Sequence, residues 1–264
     1  MERMLRTFDY SSPEAGVFTT NDQSRKSDDY FLSSGDKVRF FWEERAWGPD
    51  GKLVKEDPML AINKVGHALH DLDPNFRRYS YETRVRTICH DLGLQRPVVV
   101  QSMYIFKQAF IGGEVNAHQD GAFLYTRPQS VLGLWWALDD CTLENGCLWA
   151  VPRSHEAGVH RRFKRKVGGS GTEFEPKEPV EWDLSDAVPL LIPSGSLVLL
   201  HSALVHFSKA NTSPKARHAY SIHVVDGRDG VAYPHDNWLQ RPASSDLPFV
   251  YMDDHGTSSR VEFA

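Results

Sequence analysis

The chain has 264 residues, enough for one domain with a substantial core. Apolar residues make up 41%, charged residues 25%, and the net charge is −5; this is an ordinary globular balance with no global pull toward nucleic acid or an anionic membrane. No apolar run approaches the ~20 residues of a membrane helix, and neither a secretory h-region nor a peroxisomal C-terminal address is visible, so a cytoplasmic location is expected.

Residues 1–28 are polar and turn-rich and read as peripheral, with loop character at 11–16. Residues 63–72 (NKVGHALHDL) and 79–92 read as helices. In the second, Val85, Ile88 and Leu92 recur at helical spacing and Gly93 stands where a left-handed cap would end it. From Pro97 onward the chain turns β-branched and aromatic. Strands are predicted at 98–106, 131–138, 146–151, 189–192, 196–200 and 218–225, separated by Asp-, Asn-, Gly- and Pro-rich turns. The class is mainly β with flanking helices, a sandwich or barrel. Residues 158–187 read as a long loop insert: basic at 161–166, Gly-rich at 168–171, acidic at 173–181. The basic run is either a solvated loop or a lid that meets an anionic substrate. The whole chain, 1–264, reads as a single domain.

The three cysteines, Cys89, Cys141 and Cys147, are odd in number and lack zinc-site spacing, which fits buried thiols better than a disulfide framework.

The chemistry concentrates later. His118 and Asp120 are two apart, so on extended backbone both side chains share a face. Two imidazoles with one carboxylate form the open-faced ligand set suited to non-haem Fe(II). Among twelve histidines, His206 is the second ligand. It follows an apolar run, shares its face with Ser208, and precedes Arg217 by eleven positions. A hairpin between them returns the Arg217 fork beside Ser208, where both hold one carboxylate, such as the distal end of 2-oxoglutarate. His155 sits in a turn, His201 has the wrong parity, and His218 and His223 fall beside or behind Arg217. His67 and His70, three apart, read as helix-surface or packing residues.

These residues, with residues 29–37 (DYFLSSGDK), 63–70, 101–107 (QSMYIFK) and 143–149 (LENGCLW), resemble the phytanoyl-CoA dioxygenase family, closest to its domain-containing subgroup. The resemblance spans about residues 16–255. It implies a double-stranded β-helix, a cupin-like jelly roll. It also implies Fe(2+) on His118, Asp120 and His206, and 2-oxoglutarate held by Arg217 and Ser208. Lys64, Met103 and Trp136 are implied as further cosubstrate-pocket residues, and strand parity allows only one of Trp135 and Trp136 to face that pocket. The implied activity decarboxylates 2-oxoglutarate to succinate and CO2 and hydroxylates a small molecule, with ascorbate as a stimulant. An acyl-CoA substrate rests on the family name alone; no nucleic-acid or membrane partner is expected. Two departures stand out: the family's first strand and helix are missing or replaced by residues 1–18, and Arg153 stands where relatives often carry Gly. The alternatives are a non-catalytic jelly-roll protein that binds metal and 2-oxoglutarate, impaired by a shortened N-terminus, and a cupin-like enzyme without a cosubstrate.

Overall fold

The computed structural model describes residues 1–10, 16–17, 29–168, 171–242, 244–254, 260–261 and 263. Its helices are short: α1 Glu2–Thr7, α2 Asp29–Leu32, α3 Leu69–Leu72, α4 Pro74–Ser80, α5 Thr83–Asp91 and α6 Asp120–Phe123. The strands are β1 Gly16–Val17, β2 Val38–Trp42, β3 Ile62–His67, β4 Pro97–Ile105, β5 Val115–His118, β6 Leu132–Ala137, β7 Leu148–Ala150, β8 Arg162–Arg165, β9 Thr172–Glu175, β10 Val188–Pro189, β11 Leu197–His201, β12 His206–Ser208 and β13 Ala219–Asp226.

From β4 onward the chain alternates between two facing sheets. The larger runs β1-β2-β3-β4-β13-β6-β11 and the smaller β10-β7-β12-β5, while β8 and β9 form a separate ribbon. This is the expected jelly roll, mostly β with few helices. The larger sheet divides its residues by parity. On β6 and β13, Trp136, Tyr220 and Ile222 join the main core under the helices, with Leu5, Tyr81 and Val85. Trp135, Ala137 and Ala219 face the other way and pack against Leu148 of the smaller sheet. The space between the sheets therefore receives alternate residues of β4, β6 and β13.

Several expectations are corrected. Residues 62–67 form β3, between β2 and β4, rather than the start of a helix. All six residues of β3 are buried; a strand covered on both faces loses the alternation that marks strands in sequence. The predicted helix over 79–92 is two, α4 and α5, the second ending in a Schellman cap in which Gly93 takes φ +93 and Leu94 N–H donates to Cys89 O at 3.0 Å. The N-terminus is not peripheral throughout: Leu5 is buried in the main core, and β1 pairs in parallel with β2 at the sheet edge. Residues 11–15 of the expected loop lie outside the described residues. The insert is not structureless, because its basic run forms β8 opposite β9. All three cysteines are buried and free. Among the described residues, no helix is long and apolar enough to cross a membrane.

Candidate metal and cosubstrate site

Strand register builds the centre. In the smaller sheet β12 pairs with β5 so that His206 lies opposite His118, and their rings sit 4.2 Å apart. Such cross-strand neighbours share one face. Gln119, between the two motif residues, points away and clamps two loops. Its amide donates to Gly158 O and Ala203 O, and its oxygen accepts from His160 N–H. The peptide joining His118 to Asp120 is thereby held, and Asp120 opens α6 with its carboxylate turned back toward the imidazoles. Asp120 Oδ1 is 3.6 Å from both His118 Nε2 and His206 Nε2. One donor atom from each of the three residues lies within 4.8 Å of the others.

The position of the ring protons follows from hydrogen bonding. His118 Nδ1 faces Asn116 O at 2.8 Å and His206 Nδ1 faces Leu204 O at 3.0 Å. A carbonyl only accepts, so both Nδ1 atoms carry protons, which leaves Nε2 of each ring as the atom that can present a lone pair to the centre. Burial, with His118 nearby, pulls the His206 pKa down to about 4, which keeps that ring neutral. Burial opposes ionisation of Asp120, yet the histidines around it, His223 foremost, hold its carboxyl well below the usual range. Gly133 leaves the carboxylate room: a Cβ there would stand 3.0 Å from Asp120 Oδ2. Two imidazoles and one carboxylate on one side of a point fit a divalent transition metal.

His223 is the site residue that sequence reasoning set aside. It comes from β13 in the opposite sheet, and its Nε2 lies 3.2 Å from Asp120 Oδ2, off the line of a good hydrogen bond. Its spacing to the motif carries no signal; only the facing of the sheets brings it in.

Two cavities meet at the centre, both lined by Lys64, Met103, Val115, His118, Asp120 and His223. The inner one, about 140 Å³, continues to His206, Ser208, Trp135, Lys107 and Arg217. Arg217 is only 2% exposed. Its Nη2 donates to Gly146 O at 3.0 Å, its guanidinium lies over the Trp135 ring at 5.0 Å, and its Nε and Nη1 have no hydrogen-bond partner. A buried guanidinium with two unanswered N–H groups fits an anion that it would hold. Ser208 is buried beside it and accepts from Lys107 Nζ at 2.8 Å. Lys64 stands on β3, its Nζ 5.6 Å above the Phe41 ring and 3.9 Å from Met103 Sδ, where the cavities join.

Trp136 is a correction. It lies on the helix side of the larger sheet, stacked on Tyr220 at 5.8 Å and edge-on to Tyr79 at 5.1 Å. Only one of the two indoles enters the cavity, as parity requires, but it is Trp135. The strand β6 begins at Leu132, and sequence periodicity fixes that only one enters without saying which.

The outer cavity, about 410 Å³, is walled by Phe31, Phe123, Trp182 and Trp238, with Arg161 from the insert. His67 lines it, fully buried and on a strand, not on a helix surface. Ser34 Oγ donates to Phe31 O at 2.6 Å, so it must accept from His67 Nδ1, 2.7 Å away. Burial and the cation of Lys64 hold the His67 pKa well below its ordinary value, so the ring is neutral. Its Nε2 is then a bare acceptor without a partner. His70 belongs elsewhere, in a buried network with Ser102, Asp71 and Arg241.

Comparison with known proteins identifies the family. The phytanoyl-CoA dioxygenase (PhyH) family model matches residues 5–219. A phytanoyl-CoA dioxygenase of Arabidopsis thaliana is 49% identical over 241 residues, covering 91% of this chain and 83% of the relative. Phytanoyl-CoA dioxygenase domain-containing protein 1 of Bos taurus is 50% identical over 230 residues, covering 86% and 77%. Among solved structures, EctD from S. alaskensis, determined with 2-oxoglutarate and 5-hydroxyectoine, shares the fold at a TM-score of 0.51 and 19% identity over 81% of each chain. The chain belongs to the phytanoyl-CoA dioxygenase family, a family of Fe(II)- and 2-oxoglutarate-dependent dioxygenases.

Proposed function

We propose that this protein hydroxylates a small molecule, with Fe(II) held by His118 Nε2, Asp120 and His206 Nε2 and with 2-oxoglutarate in the inner cavity. The observation that carries the reading is the junction of two features. A His–Asp–His face with both imidazoles aimed inward through Nε2 opens onto an inner cavity that ends in the unanswered Arg217 fork. Bound iron with 2-oxoglutarate supplies the oxidation, consuming dioxygen and releasing succinate and CO2 as a C–H bond is hydroxylated.

The chain's own residues orient and enclose. Arg217 and Ser208 hold the distal carboxylate, and Trp135 closes the floor beneath the guanidinium. Lys64 and Met103 line the junction, beside the oxo-acid end. His223 Nε2 stands 3.2 Å from the far oxygen of Asp120, while Oδ1 is turned to the imidazoles. The aromatic walls of the outer cavity exclude water and take the primary substrate, and His67 Nε2 accepts from its hydroxyl or N–H group.

This reading favours a compact substrate over an acyl-CoA. Of the basic run, Arg162 pairs with Asp236 at 2.6 Å and Lys164 with Glu175 at 2.8 Å, and Arg165 donates to the carbonyls of Trp238 and Leu32. Only Arg161 lines the cavity. Arg162 and Arg165 tie the β8–β9 ribbon to the body and Lys164 ties its two strands together, so these three cations are spent on structure.

The deciding experiment supplies purified protein with Fe(II), ascorbate and 2-oxoglutarate and follows succinate by NMR. Turnover that persists in His118→Ala would sink the reading. A cosubstrate-free enzyme or a pure binder is separated by the same sample: the former shows no thermal stabilisation by 2-oxoglutarate, the latter stabilisation without succinate.

A further inference from the structure

Lys107 is a buried cation that neither the ligand motif nor the proposed function uses. It is 2% exposed and takes a left-handed φ of +41 just after β4. A non-glycine residue held there costs backbone energy and persists only where its surroundings over-determine it. They do so here. The Lys107 carbonyl accepts from Asn211 Nδ2 at 2.8 Å and from the Arg217 N–H at 3.2 Å. The backbone that aims the lysine is therefore the backbone that seats Arg217. The stem passes Gly146 so closely that a Cβ there would stand 2.6 Å from Lys107 Cε, and the carbonyl of the same glycine accepts from Arg217 Nη2.

The ammonium donates to Gly113 O and to Ser208 Oγ. An ammonium has only protons to give, so Ser208 Oγ is the acceptor, and the serine's own proton turns away from Lys107. Both ends of this relay line the inner cavity with Arg217. On the far side of the Gly113 peptide, its N–H donates to Glu43 Oε2 at 3.1 Å. The charged groups that bear on the ammonium are thus Arg217, Glu43, Glu114 and Arg45.

We propose that Lys107 is the third member of the distal-carboxylate anchor, positioning the Ser208 hydroxyl and adding a second positive charge beside Arg217. This rests on the 2-oxoglutarate reading of the inner cavity. A consequence follows from charge. Burial first, and then repulsion from Arg217, brings the Lys107 pKa down to about 7. Its charge is complete below that value and lost as pH rises through it. A carboxylate entering between the two cations favours the charged form. Above pH 7, then, the neutral amine takes a proton from the buffer as 2-oxoglutarate binds, and cosubstrate affinity falls as pH rises.

The test is anaerobic calorimetry of 2-oxoglutarate binding to Mn(II)-loaded protein at pH 8, in HEPES and in Tris, whose ionisation heats differ. The wild type is expected to take up most of one proton. Lys107→Arg should keep 2-oxoglutarate binding but take up none, because arginine does not titrate there. Lys107→Met should weaken 2-oxoglutarate about tenfold and leave oxalate, a metal chelator with no distal carboxylate, bound as in the wild type. Equal losses for oxalate and 2-oxoglutarate would reduce Lys107 to a support of the fold. Absence of proton uptake in the wild type, or its persistence in Lys107→Arg, would overturn the coupling whatever the fate of Lys107→Met. A wild type that binds Mn(II) but not 2-oxoglutarate removes the functional reading itself.

Discussion

The two cavities that meet at Asp120 are built differently. The inner one is framed by strands of both sheets: Trp135 on β6, Ser208 on β12, Ser221 and His223 on β13. Every functional group there is fixed by register or by a backbone hydrogen bond. The outer one borrows its walls from segments that no strand ladder fixes, including Pro179, Val180 and Trp182 of the insert and Trp238 near the C-terminus. Rigid strands suit the chemistry that is common to a whole family, which needs ligands placed to fractions of an ångström. Loop walls suit the part that varies, because loops accept change at little cost to the fold. The difference teaches where to look for each answer: reaction type in the inner cavity, substrate identity in the outer.

If the division holds, the largest effect comes at the shared wall. Asp120→Ala removes the only carboxylate of the ligand set, and succinate formation should fall to the metal-free background. Retained turnover there would break the comparison at its hinge. Next comes the end of the inner cavity. Arg217→Ala leaves a bound carboxylate without its charged partner, at a cost of about 2–3 kcal/mol or roughly 30- to 150-fold in apparent KM for 2-oxoglutarate. A KM unchanged in steady-state assays would remove Arg217 from the anchor. The two neighbouring indoles sharpen the boundary between cavity and core. Trp135→Leu should raise that KM roughly 2- to 5-fold through loss of the ring under the guanidinium. Trp136→Phe should instead lower stability by about 1–2 kcal/mol, read as a lower Tm, with KM unmoved. Reversed outcomes would return Trp136 to the cosubstrate site. The smallest effect lies outside both cavities. Arg153 takes φ +63 before the turn at Ser154–Ala157, and its exposed pairing with Glu156 contributes little. Arg153→Gly should relieve that strain and raise stability by about 0.5–1 kcal/mol with unchanged kinetics; a shift in either KM or turnover would show that the turn reaches the site.

Much of the site was legible because its chemistry is local. The two-residue step from His118 to Asp120, the shared parity of His206 and Ser208, and the return of Arg217 are properties of short segments. Gly93 marked a helix end for the same reason. The failures have one cause. Residues 63–72 read as a helix, yet 62–67 sit between two strands that bury both faces. Trp135 and Trp136 obey the same alternation, and nothing within β6 says which face is inward. His223 lies more than a hundred positions from Asp120 and meets it only because β13 faces β5 across the fold.

The amino-acid sequence by itself determined the mainly β class and the family, and it supplied the His118, Asp120 and His206 set together with the Ser208 and Arg217 pair proposed for the cosubstrate. The class and the shared facing of neighbouring side chains depend on residue types and on periodicities of two and 3.6, which short segments carry whole, while the family rests on the resemblance of its motifs. Tertiary structure alone decided the pairing of His118 with His206, the choice of Trp135, the acceptor tautomer of His67 and the placement of Lys107 against Ser208. Each depends on register and burial between segments distant in sequence, where one residue of slip turns every side chain to the other face.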